Sequence, residues 1–151
     1  MQKTTGGKVL RRVVLDASVV LKWYLVDEEE GQKALDLLFQ HTSNELEIIA
    51  PSLLEYEVVN GLFIAQQRGR IKEEKLITAI EGFIDLEINL VNLSTFHSKL
   101  THFCKVYHRS VYDASYLAIA DTEGIMMITS DASLYNTVKK DLKWVKWLGD
   151  T

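Results

Sequence analysis

The sequence predicts a three-layer α/β/α domain around a central, mostly parallel sheet of four to five strands. Three observations predict it. Short apolar, β-branched runs (RVVL at 12–15, LEIIA at 46–50, MMIT at 126–129) recur along the chain, and continuous apolar runs of that length suit strands buried on both faces. Segments with helical periodicity separate them, which is the pattern of parallel strands joined by crossover helices. Finally, 151 residues with one proline and 47% apolar content are enough for a single core and too few breakers for a linker-rich chain.

The elements follow in order. Residues 1–8 read as a loose tail ahead of a single domain over 9–151, with charge but no apolar core of a secretory signal. Arg12–Leu15 is the first strand and delivers Asp16 at its C-terminal end. Residues 18–26 continue as a short helix. Glu28–Gln40 carries Ala34, Leu37, Leu38 and His41 at three- and four-residue steps, the spacing of one helix face. After the second strand, Leu46–Ala50, Pro51 stands where a helix starts, and that helix runs from Ser52 to Gln67 with Gly69 as its stop. Ile71–Asp85 is a further helix with Leu76, Ile80 and Phe83 inward. Glu87–Leu93 alternates and reads as a third strand, and Ser94 caps a helix through Tyr107. Tyr112–Glu123 is the next helix, with Asp113 as its natural N-cap and Gly124 as its stop. Met126–Thr129 is the fourth strand, Leu134–Lys139 a short helix, and Leu142–Leu148 a last strand.

Composition narrows the function. Cys104 is the sole cysteine, so there is no internal disulfide and no cysteine-based zinc cluster; a reducing, cytoplasmic location is expected. No apolar run approaches a membrane span, and no membrane partner is expected. The net charge of −4 is wrong for a protein that holds nucleic acid by bulk electrostatics. Any such contact must come from a local patch or from bound cations.

Four acids stand out. In open α/β sheets the site lies beyond the carboxyl ends of the strands, and Asp16 and Asp131 fall there; each could equally be a turn residue or cap. Glu57 sits mid-helix beside the stripe Leu54, Val58, Leu62 and Ala65, with Asn60 three residues on along an adjacent face. Asp113 opens a helix of small residues (Ala114, Ser115, Ala118, Ala120) that suits close packing inside the domain. Four carboxylates gathered without a cation would raise one another's pKa, and Mg²⁺ or Mn²⁺, which prefer carboxylate and water oxygens, relieve that conflict. His97, His102 and His108 lack the four-residue spacing of a helical metal pair. Trp23, Trp144 and Trp147 read as core or dimer contacts.

These segments together resemble the PIN-domain family, and within it the ribonuclease toxins of VapBC-type toxin–antitoxin pairs, over about residues 13–147. VVLDASVVLKWYLVDEE is similar to the first motif, with Asp16 as its acid and Ser18 beside it. APSLLEYEVVNGL is similar to the second, with Glu57 and Asn60. VYDASYLAIA is similar to the third, with Asp113. MMITSDASL is similar to the fourth, with Thr129 leading to Asp131. The resemblance implies a Mg²⁺- or Mn²⁺-dependent endoribonuclease acting on single-stranded or looped RNA. Asp16, Glu57, Asp113 and Asp131 would be its catalytic and metal-holding acids, and Ser18, Asn60 and Thr129 would steady them. It also implies a homodimer and a cognate antitoxin. Lys22, Arg68, Arg70 and Lys72 are the candidate RNA contacts. The alternatives are a PIN-fold RNA-processing domain, a catalytically silent partner-binding domain, and a receiver-type phosphoacceptor domain. The last should carry an acidic pair near the first strand and a lysine after a late one, whereas Leu15 precedes Asp16 and no lysine directly follows MMIT.

Overall fold

The computed structural model describes residues 4–5, 8–25 and 28–151. Most of the expected tail, and residue 26, the expected end of the first helix, lie outside them. Thr4–Thr5 (β1) and Lys8–Val9 (β2) pair antiparallel. The remaining strands, β3 (Arg11–Leu15), β4 (Leu46–Pro51), β5 (Asn89–Val91), β6 (Met126–Thr129) and β7 (Val145–Trp147), form one sheet in the order β5-β4-β3-β6-β7. Every pairing in it is parallel.

Chain order explains where a site can form. Running outward from β3, one arm of the sheet is built by β4 and β5 and the other by β6 and β7, so the strand order reverses between β3 and β6. A crevice opens at the carboxyl ends of the two strands flanking such a reversal. The same order also excludes the receiver alternative: that fold places its first strand between the second and third, whereas here the third strand of the sheet, β5, lies beyond the second.

Every residue of β4 is buried, as are all of β3 beyond Arg11, so helices cover both faces of the sheet and the domain has three layers. The helices are α1 (Ala17–Val20), α2 (Gly31–Thr42), α3 (Leu53–Gln67), α4 (Glu73–Asp85), α5 (His97–Tyr107), α6 (Val111–Glu123) and α7 (Ala132–Val138). The α3 stripe of Leu54, Val58, Leu62 and Ala65 is buried as its spacing predicts. In α6 every residue from Ala114 to Ala120 is buried, which is what its small side chains permit; Gly124 closes it at φ +67°, a conformation that favours glycine. Gly61 lets α3 approach the turn after α1: a Cβ there would stand 2.7 Å from Leu21 Cδ1. Among the described residues, no helix is long and apolar enough to cross a membrane.

Several boundaries differ from the sequence reading. The second helix starts at Gly31, not Glu28, because Glu30 is left-handed at φ 63°. The third strand of the sheet shrinks to Asn89–Val91, since Glu87 is left-handed at φ 52° and cannot extend it. Ser94 caps nothing: Leu93–Thr95 form a 3-10 turn, and α5 begins after the buried Phe96. Ala79 joins Leu76 and Phe83 as a buried residue of α4, while Ile80 packs half-buried against the same core. The last strand spans only Val145–Trp147, because its one neighbour β6 offers register partners only from Met127 to Thr129. Asp113 is not the cap of α6; the cap is Ser110, whose Oγ accepts the Asp113 backbone N–H at 3.1 Å.

Candidate active site

Asp16 directly follows β3 and is 7% exposed. The apolar strand carries it to the sheet's carboxyl edge, where the hydroxyls of Ser18 and Thr129 donate to its two oxygens. The same hydroxyls accept backbone N–H groups from the neighbouring loop, Ser18 from Ser130 at 2.8 Å and Thr129 from Asp131 at 3.0 Å. Ser18 and Thr129 thus lock the ends of β3 and β6 together at the reversal point. Burial pushes the Asp16 carboxyl up to about 6; the two hydroxyls oppose the rise, and the charge of Asp131 adds to it. Asp131 itself caps α7, accepting the Leu134 N–H at 3.1 Å.

Glu57 and Asp113 meet from the other side. α3 presents Glu57 half-buried, and the Tyr116 hydroxyl, three residues past Asp113 on α6, donates to it at 2.5 Å. Burial raises the Glu57 pKa, the tyrosine opposes that, and the Asp113 charge adds to it. The Tyr116 phenol is pushed upward by burial first and then by the charges of Glu57, Asp16 and Asp113. One phenol therefore feels three of the acids, and the fourth, Asp131, acts on Asp16. The four sequence candidates thus fall into two neighbouring pairs, Asp16 with Asp131 and Glu57 with Asp113, with Tyr116 near both.

The two pairs stop short of a ligand shell. Among the described residues, no three His, Cys, Asp or Glu side chains stand close enough together to hold a metal ion. Asp113 is paired instead with Arg109, which reaches its Oδ2 with Nε at 3.0 Å and Nη2 at 2.8 Å and extends Nη1 to Ser133 at 3.0 Å. The donor chemistry suits a hard divalent cation, since all four groups are carboxylates and the mutual repulsion on Asp16 and Glu57 is what a cation would relieve. Asp113 could join such a shell once Arg109 lets go.

The remaining sequence candidates divide. Asn60 is exposed in the wall of a cleft with Glu57. Lys22 is not a surface cation: it is 8% exposed and lies 3.5 Å from Glu28, whose other oxygen is 3.6 Å from Arg70. Arg68 and Lys72 are exposed. Trp23 is core, donating to the Ala34 carbonyl at 2.8 Å. Sequence reasoning missed Arg109, which stands just before the Ser110 cap, and Tyr116, whose three-residue spacing from Asp113 puts it on the same face of α6.

Comparisons with known proteins agree with this architecture. The sequence profile described as the PIN domain matches residues 13–140. The fold is similar to PAE2754 from Pyrobaculum aerophilum at 17% identity, TM-score 0.67, covering 93% of this chain and 85% of that one. It is also similar to the Mycobacterium tuberculosis toxin VapC20, described as cleaving the sarcin–ricin loop, at 12% identity, TM-score 0.57, covering 82% and 93%. Curated protein sequences give no match.

Proposed function

Because the chain belongs to the PIN-domain family, whose members are generally nucleases, we propose that it is a Mg²⁺- or Mn²⁺-dependent endoribonuclease of single-stranded or looped RNA, working as the toxin of a toxin–antitoxin pair. The observation that supports the reading is the pairing of Asp16 with Asp131 beside the reversal of strand order, with Glu57 and Asp113 paired next to the same Tyr116. The toxin role and the looped substrate are taken by analogy from a protein of similar fold described as a toxin that cleaves the sarcin–ricin loop. A homodimer, a cognate antitoxin and a cytoplasmic location complete the proposal.

Asp16, Glu57 and Asp113 would hold the cation, with Asp131 completing the acidic set. When bound, it would supply charge neutralisation and water activation for phosphodiester hydrolysis. The chain's own groups prepare for this. Ser18 and Thr129 hold both oxygens of Asp16 in place. Tyr116 fixes one oxygen of Glu57, and the buried setting of Asp16 keeps bulk water from screening the charges.

The test is cleavage of a 5′-labelled, mixed-sequence single-stranded RNA in Mn²⁺ by wild type, Asp16→Asn and Asp113→Asn. Cutting by the wild type that falls at least a hundredfold in both variants is expected, because each loses a carboxylate from the site. Undiminished cutting by both folded variants would remove these acids from the reaction.

A further inference from the structure

Two tyrosines stand directly before two of the acids in sequence, Tyr56 before Glu57 and Tyr112 before Asp113. Tyr56 is 79% exposed and Tyr112 64%. Leu53, Tyr56, Glu57, Asn60 and Tyr112 line one cleft of about 400 Å³, of a size that holds small ligands. From this we infer that the cleft is a nucleobase subsite, in which Tyr56 and Tyr112 stack an unpaired base of the RNA strand next to the acid cluster. The inference rests on the nuclease reading above and adds how the substrate is gripped.

The charge balance makes such a grip necessary. The chain is acidic overall, and two of the four cations that the sequence offered to RNA, Lys22 and Arg70, share Glu28. Phosphate contacts alone are a poor source of affinity here. Stacking on aromatic faces needs no net positive charge, tolerates any base, and is the usual way single strands are held. Tyrosine suits an exposed stacking position, having an apolar face and a wet hydroxyl.

The cleft's polar wall argues for a base rather than a second protein face. An apolar partner laid over the cleft would strip water from the Glu57 carboxylate and the Asn60 amide without replacing its hydrogen bonds, which is costly. The edge of a base carries donors and acceptors that can satisfy both. Glu57 is at once a wall of the cleft and one of the four acids, so a base bound there places its own backbone at the acid cluster.

The experiment measures binding of a fluorescein-labelled, mixed-sequence 12-nucleotide RNA in an Asp16→Asn background, so that turnover does not intrude. An abasic ribose–phosphate strand of the same length serves as the control. Tyr56→Ala and Tyr112→Ala should each weaken RNA binding about tenfold, leave the abasic strand unaffected, and leave the slope of log Kd against log salt unchanged. Phenylalanine at either position should restore most of the loss. Circular dichroism and sedimentation accompany each variant. Alanine variants that bind RNA as tightly as their parent overturn the subsite while leaving the nuclease reading intact. So does an equal loss on the abasic strand, or a change of oligomeric state, which would give the face to a second copy of the chain. An Asp16→Asn protein that binds no RNA at all overturns both.

Discussion

Asp16 shows the cost of preparing a buried carboxylate for a cation. Its pKa lies near 6 in the fold against 3.8 outside it, so between those values the native state holds more protons than the unfolded state. Stability must therefore fall as pH rises through that window. About two pKa units correspond to a penalty of up to roughly 3 kcal/mol at neutral pH. Asp16→Asn removes the charge and keeps an acceptor for Ser18 or Thr129. In EDTA, urea unfolding should find the variant more stable than wild type at pH 7.5 and nearly equal at pH 4. Parallel curves for the two proteins across that range would mean that Asp16 ionises without penalty. That Asp16 follows a buried strand was legible in RVVLD, and the family resemblance offered Ser18 and Thr129 as groups that steady the acids; that both would settle on Asp16 was not legible, because Thr129 lies 113 residues away.

At the level of elements, the sequence was clearest where burial is complete. RVVL, LEIIA and MMIT are apolar because both faces of β3, β4 and β6 are covered, and a strand with one wet face would alternate instead. Edge strands were overdrawn. Alternation carried the third strand back through Glu87, whose left-handed backbone ends it, and nothing in a glutamate announces φ 52°. The start of α6 was misread for a different reason. Asp113 is a good cap residue, but Ser110 stands three residues before it, and serine followed three residues on by an acid is itself an N-terminal signature. Ser110 takes the cap and frees the Asp113 carboxylate for the site. Ser110→Ala should cost about 1 kcal/mol in chemical unfolding, and Ser110→Asn, which caps as well, should cost little. A larger loss in the asparagine variant than in the alanine one would mean that capping is not what Ser110 contributes.

Across the whole molecule, the four acids come from the end of β3, the middle of α3, the first turn of α6 and the cap of α7. Asp16 and Asp131 could be placed in advance, because they follow strands at the edge where an α/β crevice opens; Glu57 and Asp113, on helices, were drawn to the same place by the family resemblance. Arg109 could not be placed, since a lone arginine before a helix is usually a solvated charge. Its fork on Asp113 pairs with Oδ2, so a cation held by Asp113 and the guanidinium should compete for the same oxygen. A ligand that binds only the folded state stabilises it by about 2.7 kcal/mol at a hundredfold excess over its Kd, which for a domain of this size is a rise in Tm of roughly 5–10 °C. Mn²⁺ should therefore raise the Tm of the wild type and do so far less in Asp16→Asn and Asp113→Asn. In Arg109→Met, which keeps the aliphatic stem and removes the charge, the same Mn²⁺ concentration should give a larger rise than in wild type. A smaller rise would mean that Arg109 holds Asp113 ready for the ion instead of competing with it. An equal rise in all four proteins would place Mn²⁺ somewhere other than this cluster.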